Sequence, residues 1–392
     1  MKMRKTIIFV MVICLLSLAA CGDVPPDFEE KILNDYAVDA YAQYEIINSA
    51  LRCGDGRLAE KSTLSSVATL WTYGAYFTAT ASLMKVHKTD AMLDYAKSAI
   101  KELQLYKCKD KDAYASNNGE ERPVLFDDNV WLVLGLLDFY ESTEDADFLS
   151  EAESVQSFIY TGWQESLGGG LLWREFSPDT APEKYVRNTC INAPAIVASA
   201  KLYNVTGKTE YLQWAKKIYT WTKSTLKNND LGTYFDCIDK NGKIDYAQFT
   251  YNSGCMLSAA SLLYEITGED EYAAEATSIA EASYALFAQT RPGVPDGGDF
   301  YYDNPWFNVY LFYGYYDAYR VFGDEYKGYL ERLKKGYDFA VERRLYDKRG
   351  LLYDRWDGSE KRSDDEKVST LNALGNVECI TVLSRYQALT EA

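Results

Sequence analysis

Histidine is almost absent from this sequence. His87 is the only one in 392 residues, and that scarcity closes off much familiar chemistry. A Ser-His-Asp triad needs a well-placed imidazole, and a histidine-based zinc site needs several. His87 follows Lys85 where a helix should end, and it is expected to be a solvated turn residue. No Gly-rich phosphate loop of the P-loop or dinucleotide type occurs, and no Cys-x-x-Cys spacing suggests a metal or redox centre. Positive charge is also short. Against 58 Asp and Glu stand 41 Lys and Arg, for a net charge of −17. Such a surface repels phosphate and argues against nucleic acid or anionic lipid headgroups as partners. Acid–base work therefore falls to Asp, Glu or Tyr, and no metal or organic cofactor is implied.

What is present is an ordinary globular balance of 47% apolar and 25% charged residues, with 33 Tyr, 16 Phe and 8 Trp. Rings with polar tips suit carbohydrate, whose C–H faces stack on them while the hydroxyls reach the tips. The first twenty residues read as an address. Residues 1–5 are basic, and residues 7–20 form an apolar run too short for a confident membrane span. The run ends in Leu18-Ala19-Ala20-Cys21, which resembles a bacterial lipoprotein signal. The resemblance implies an exported chain, lipidated on Cys21 and held at the cell envelope, with the outer membrane the expected site and its periplasmic or surface face open. A plain secretory signal that happens to contain Cys is the other reading. Residues 22–27 make a short tether, and residues 28–392 a single domain. Six cysteines remain there: Cys53, Cys108, Cys190, Cys237, Cys255 and Cys379. Cys190, Cys255 and Cys379 sit in apolar helical patterns and read as small buried residues. Cys53 and Cys108 lie near helix ends, where a disulfide is open.

The rest reads as helix almost throughout, with a recurring phrase. Leu202-Tyr203-Asn204-Val205-Thr206-Gly207 is followed by Glu210-Tyr211-Leu212, and Leu263-Tyr264-Glu265-Ile266-Thr267-Gly268 by Glu271-Tyr272. The two glycines stand 61 positions apart. Weaker copies occur at 83–96, 137–148 and 316–330. In each, a helix ends at a Gly or polar turn and an amphipathic helix starts soon after. A period covering two helices signals a helical-hairpin repeat. First helices are predicted near 62–86, 127–142, 188–205, 250–266, 304–322 and 368–388. Second helices fall near 90–106, 146–160, 209–227, 270–288 and 325–343. The missing sixth partner is supplied by residues 28–52, whose packing against the last helix closes a ring and buries faces that an open superhelix would have to cap. The predicted fold is all-α, an (α/α)6 barrel of six helical hairpins. Inner-to-outer links are short. The return links, near 107–126, 161–187, 228–249, 289–303 and 344–367, are long and emerge at one end, with Trp163, Trp173, Tyr234, Asp236, Tyr301, Tyr302 and Trp356 on them. Sites form where long loops gather on a rigid scaffold.

At that end, heading an inner helix, stands Phe126-Asp127-Asp128-Asn129-Val130-Trp131. Asp and Asn there can simply cap the helix. Two adjacent carboxylates also suit glycoside hydrolysis. A retaining enzyme needs two carboxyl groups about 5–5.5 Å apart, one as nucleophile and one as acid/base. Two like charges so close cannot both ionise easily, so one should keep its proton near neutrality.

The chain resembles glycoside hydrolase family 76, the bacterial and fungal α-1,6-mannanases. The likeness rests on Asp127-Asp128-Asn129-Val130-Trp131 and on Gly168-Gly169-Gly170-Leu171-Leu172-Trp173. It continues through Arg187-Asn188 leading into 193–203 and Thr206-Gly207, and Tyr251-Asn252-Ser253-Gly254 leading into 262–268. It implies an (α/α)6 barrel and retaining endo-hydrolysis of α-1,6-linked mannan or manno-oligosaccharide; a monomer is the separate expectation for the chain. Asp127 would be the nucleophile and Asp128 the acid/base, with Asn129, Trp173, Asn188, Asp236, Tyr251, Asn252 and Trp306 as candidate sugar contacts. Two positions depart from the family pattern: Arg187, where Lys is more usual, and Ser253, where Gln is common. Two other readings stand beside this one. An (α/α)6 hydrolase or epimerase acting on another glycan would want histidine shuttles or basic loops, which are scarce here. A lipid-anchored glycan-binding protein without turnover would have no need of two mutually repelling carboxylates.

Overall fold

The computed structural model describes residues 30–119, 122–176, 185–289, 300–301, 303–359 and 367–391. The signal, Cys21, the tether and Tyr302 lie outside them. Among the described residues twelve α-helices follow one another: α1 (Asp35–Ala50), α2 (Leu70–Val86), α3 (Asp90–Leu103), α4 (Phe126–Thr143), α5 (Ala146–Tyr160), α6 (Thr189–Thr206), α7 (Thr209–Leu226), α8 (Thr250–Thr267), α9 (Asp270–Phe287), α10 (Pro305–Phe322), α11 (Lys327–Glu342) and α12 (Thr370–Glu391). No helix among them is long and apolar enough to cross a membrane.

The even-numbered helices form the inner ring. α2, α4, α6, α8, α10 and α12 pack in that order, and α12 returns to α2. They are buried on nearly every face, as an inner helix with neighbours all round must be. The odd-numbered helices bury one stripe. α7 turns Tyr211, Ala215, Ile218 and Thr222 inward, the spacing of an amphipathic helix. α1 packs on α12 and closes the ring. Asn34 Nδ2 donates to the Ser384 carbonyl at 2.9 Å, and the Tyr337 hydroxyl donates to Asp39 at 3.0 Å.

Gly207 and Gly268 end their helices with φ of 68° and 67°, a left-handed backbone that costs glycine least. Between α8 and α10 the chains touch backbone to backbone. A β-carbon on Gly254 would lie 2.4 Å from Leu311 Cα, and one on Gly314 2.6 Å from the Gly254 carbonyl oxygen.

Two expectations are corrected. The first inner helix begins at Leu70 rather than near 62, because residues 51–69 run as a loop of isolated bridges in which Leu64 takes a left-handed turn. His87 is buried, not solvated. Strand β1 (Lys31–Ile32) pairs antiparallel with β2 (His87–Lys88), and the imidazole stacks flat on Tyr41 with centroids 4.2 Å apart. Burial depresses its pKa, so it stays neutral. All six cysteines of the domain are free.

The long loops are held by polar residues one turn into the inner helices. Asn129 Oδ1 accepts the Tyr114 N–H at 2.8 Å while its Nδ2 donates to the Tyr114 carbonyl at 2.9 Å and that of Leu125 at 2.8 Å. Asn192 repeats the arrangement on Leu171 at 2.8 and 3.1 Å. Asn376 donates to Leu352 and accepts from the Trp356 indole. Each clamp satisfies backbone groups that burial would otherwise strand.

Candidate active site

The N-termini of the inner helices face the cleft where these loops converge. Phe126 enters α4 by donating its N–H to the Trp173 carbonyl at 2.9 Å, which binds the glycine-containing loop to the helix start. Asp127 and Asp128 then occupy the first turn. Asp127 Oδ1 accepts the N–H of Asp128 at 2.9 Å, a capping bond. Its Oδ2 accepts the Trp173 indole N–H at 2.6 Å and lies 3.7 Å from the Cys190 thiol. Capping and chemistry are thus divided between two oxygens of one carboxylate.

The pair is electrostatically unequal. Asp128 is 5% exposed, and burial with the charge of Asp127 pushes its pKa well up. Asp127 is also raised by burial, but the indole N–H, the Asp128 amide and the Cys190 thiol favour its ionised form and hold it to about 6. Near neutrality the two carboxyls share one proton, carried by Asp128, and they titrate as a unit.

Opposite the pair, Asn188 Nδ2 donates to Asp236 Oδ2 at 3.3 Å. Strand β3 (Arg187–Asn188) is joined there to β4 (Cys237–Ile238), and β4 to β5 (Ile244–Asp245). Asp236 is raised by burial and by Asp245. Asp236, Cys237 and Asp245 bring potential ligand atoms within 4.8 Å of one another, but burial and the two carboxylates push the Cys237 thiol up to about 12, so the set offers a neutral thiol. Asn252 is fully buried with neither end of its amide in a close hydrogen bond, and it lies near enough to Asp236 to favour that carboxylate's ionised form. The Tyr251 hydroxyl feels the charges of Asp236 and Asp127, and its ring packs on Phe307 with centroids 4.3 Å apart. Asp127, Asp128, Trp173, Asn188, Asp236, Tyr251 and Asn252 are therefore brought together.

Other expected residues are elsewhere. Asn129 is fully buried and its amide is committed to the loop clamp; it supports the site without facing it. Trp306 is 2% exposed, wedged among Trp71, Trp131 and Tyr310, so it belongs to the floor. Tyr234, Tyr301 and Trp356 are buried in the frame, and Trp163 packs on Trp214. The two departures from the family pattern also fall on loop anchors. Arg187 donates to Ser166 Oγ at 2.6 Å, and Ser253 Oγ accepts the Tyr234 N–H at 3.3 Å. Sequence reasoning missed Trp71, an indole 40% exposed in the first turn of α2 and edge-on to Trp306. A Trp at the second residue of an inner helix was the available signal. It also read Cys190 as packing alone.

A ring of helix pairs with two unequal carboxyls at its loop-bearing end defines a glycosidase-like scaffold. The family profile described as glycosyl hydrolase family 76 matches residues 41–390, and the chain belongs to that family. The chain is 30% identical over 149 residues to the mannan endo-1,6-alpha-mannosidase DCW1 of Saccharomyces cerevisiae, covering 36% of this chain and 33% of that protein. It thus spans about a third of the length of the curated relatives it matches. The fold matches the GH76 α-mannanase BT2949 of Bacteroides thetaiotaomicron at a TM-score of 0.80 and 20% identity, over 92% of this chain and 98% of that one. It also matches the α-1,6-mannanase GH76A of Salegentibacter sp. HEL1_6 at 0.73 and 23%, over 90% and 99%. The latter has been solved as an inactive variant, with two successive aspartates replaced, in complex with α-1,6-mannotriose.

Proposed function

We propose that this chain hydrolyses α-1,6-mannosidic linkages within mannan, with retention of configuration. The observation that carries the reading is the unequal carboxyl pair at the start of α4. Trp173 and Cys190 keep Asp127 the more acidic member, and burial keeps the proton on Asp128. The complex of the Salegentibacter relative with α-1,6-mannotriose supports the substrate class, as do the names of the fungal relatives.

The roles follow from the protonation states. Asp128 donates its proton to the glycosidic oxygen as the bond to the anomeric carbon breaks, and Asp127 attacks that carbon to give a mannosyl ester. Asp128, now ionised, takes a proton from a water that attacks the same carbon, releasing the sugar and restoring both carboxyls. Asn188, Asp236, Tyr251 and Asn252 supply the hydrogen-bonding wall and Trp71 an exposed ring at the mouth. The chain acts as a monomer on this reading. Residues 1–21 direct export, and lipidated Cys21 anchors the domain to the outer membrane.

The test is incubation of the mature domain with debranched α-1,6-mannan beside Asp128→Ala. A ladder of manno-oligosaccharides from the wild type alone supports the reading. Mannan retained without cleavage would make the chain a binding protein, and neither binding nor cleavage would point to another glycan. Cys21→Ser should move the protein from the membrane to the soluble fraction; continued membrane association would refute the anchor.

A further inference from the structure

Below the floor of the cleft lies a second chamber. The rings of Trp131, Trp306 and Tyr310 close the barrel axis, with the Trp131 and Tyr310 centroids 4.4 Å apart. Beneath them the C-terminal halves of the inner helices enclose a cavity of about 340 Å³. It opens at the short-linked end, where Glu141, Glu265 and Arg320 form a solvent-exposed rim. The volume would hold on the order of ten waters and falls at the small end of the range for ligand pockets.

Most of the charge in and around this chamber is spent on itself. Lys85 bonds Asp138 at 2.6 Å and Glu141 at 2.5 Å, Lys201 bonds Asp138 at 2.9 Å, and Arg320 pairs with Glu265. Three groups are left over. The Arg385 guanidinium lies 4.4 Å over the Tyr316 ring and has no carboxylate within salt-bridge distance among the described residues. Asp317 accepts one hydrogen bond, from Ser258 at 2.7 Å. Tyr310, 5% exposed, has a buried hydroxyl without a partner. A buried polar group left unmatched costs free energy; one such hydroxyl, Tyr310, beside a guanidinium without an ion pair and a carboxylate holding a single hydrogen bond, points to something that fills the cavity.

We propose that this chamber is a second ligand site, for an uncharged, hydroxyl-rich molecule of monosaccharide size. The charge balance selects the class. Lys85, Lys201, Arg320 and Arg385 are matched by Asp138, Glu141, Glu265 and Asp317. Glu378, pushed up to about 8 by burial, adds no fifth negative charge at neutrality. An anion would also face the negative ends of six helix dipoles, and a cation would meet Arg385. A hydroxyl both donates and accepts, so neighbouring hydroxyls can donate to Asp317 and accept from Arg385 and Tyr310. Leu134, Val197 and Leu262 present apolar wall to the C–H faces. The proposal does not rest on mannan hydrolysis.

The test titrates D-mannose, myo-inositol and inorganic phosphate into the wild type and Arg385→Met by calorimetry, with crystal soaks of the wild type. The expected result is density for mannose or inositol between Arg385 and Asp317. A saturable site should accompany it, weakened about tenfold or more in Arg385→Met, the loss of a hydrogen bond to a charged donor, with mannan turnover unchanged. Four outcomes would overturn the proposal: water alone in the chamber after both polyol soaks, density without saturable binding, polyol binding unaltered in the variant, or phosphate taken up in place of the polyols. Should Arg385→Met fail to fold, the wild-type soaks and the milder Ser258→Ala decide the matter in the same way. A chain inactive on mannan that still fills the chamber would refute the proposed activity and leave this site standing.

Discussion

One helix carries both kinds of buried aspartate. At the start of α4, Asp127 and Asp128 have raised pKa values; three turns later, Asp138 is held below the ordinary carboxylate range. Burial opposes ionisation at both ends. What differs is the company. Asp138 meets Lys85 and Lys201 directly, with Arg385 nearby, whereas the pair at the loop end meets an indole N–H, a thiol and each other. Cations at the helix C-termini also complement the dipoles there. The barrel thus has one end where charge is neutralised for stability and one where carboxyls are left without cations. The carboxyl pair that can pass a proton to a substrate in the cleft stands at the second.

Exchanging the chemistry of the two ends should give the largest effect at the pair. Asp127→Asn and Asp128→Asn are expected to lower turnover on mannan by on the order of 10³-fold or more, while the melting temperature holds or rises because a buried repulsion is relieved. A drop in melting temperature as large as that of a core mutation would make the pair structural. Asp138→Asn should do the reverse. It leaves Lys85 and Lys201 buried without their main partner, a loss of about 3–5 kcal/mol, and spares the turnover of the folded fraction. Because the folded pKa of Asp138 is depressed, its stabilisation is fully present above the unfolded value of 3.8 and is lost progressively as the pH falls below that value through the lower folded pKa. Urea titrations should show that loss in the wild type and its absence in Asp138→Asn.

Smaller changes sharpen the account of the loop end. Trp173→Phe removes the indole donor that favours ionised Asp127. The acid limb of the kcat/KM profile, expected near pH 6 from Asp127, should move upward, with a rate loss of about tenfold. An unmoved limb would remove Trp173 from the proton balance. Cys190→Ala deletes a weaker donor at 3.7 Å and should move the limb in the same direction by less, read from the same profile. Cys190→Ser should keep it in place.

Much of this arrangement was legible in advance. Helical periodicity and the phrases ending at Gly207 and Gly268 located the hairpins, and counting them implied that α1 must complete the ring. The Asp127–Asp128 pair was conspicuous because adjacent carboxylates are costly and the loop end was identifiable from link lengths. Asn129 and Trp306 were misplaced for a common reason. A polar or aromatic residue near a helix start looks the same in sequence whether it faces the cleft, clamps a loop or floors the barrel. Trp71 went unnoticed and Cys190 was read as packing alone because each takes its meaning from a partner on another helix: Trp306 for the first and Asp127 for the second.

The sequence alone determined which segments are helices, how they alternate between buried and amphipathic, and where two carboxyls adjoin, since those properties depend on residues within a turn or two. Only the tertiary structure decided which carboxyl keeps its proton and which polar side chains line the cleft. Those outcomes depend on burial and on donors from distant segments. The indole that holds Asp127 lies 46 residues along the chain from it and the thiol 63, and only the packing of α6 and its preceding loop against α4 brings them within reach.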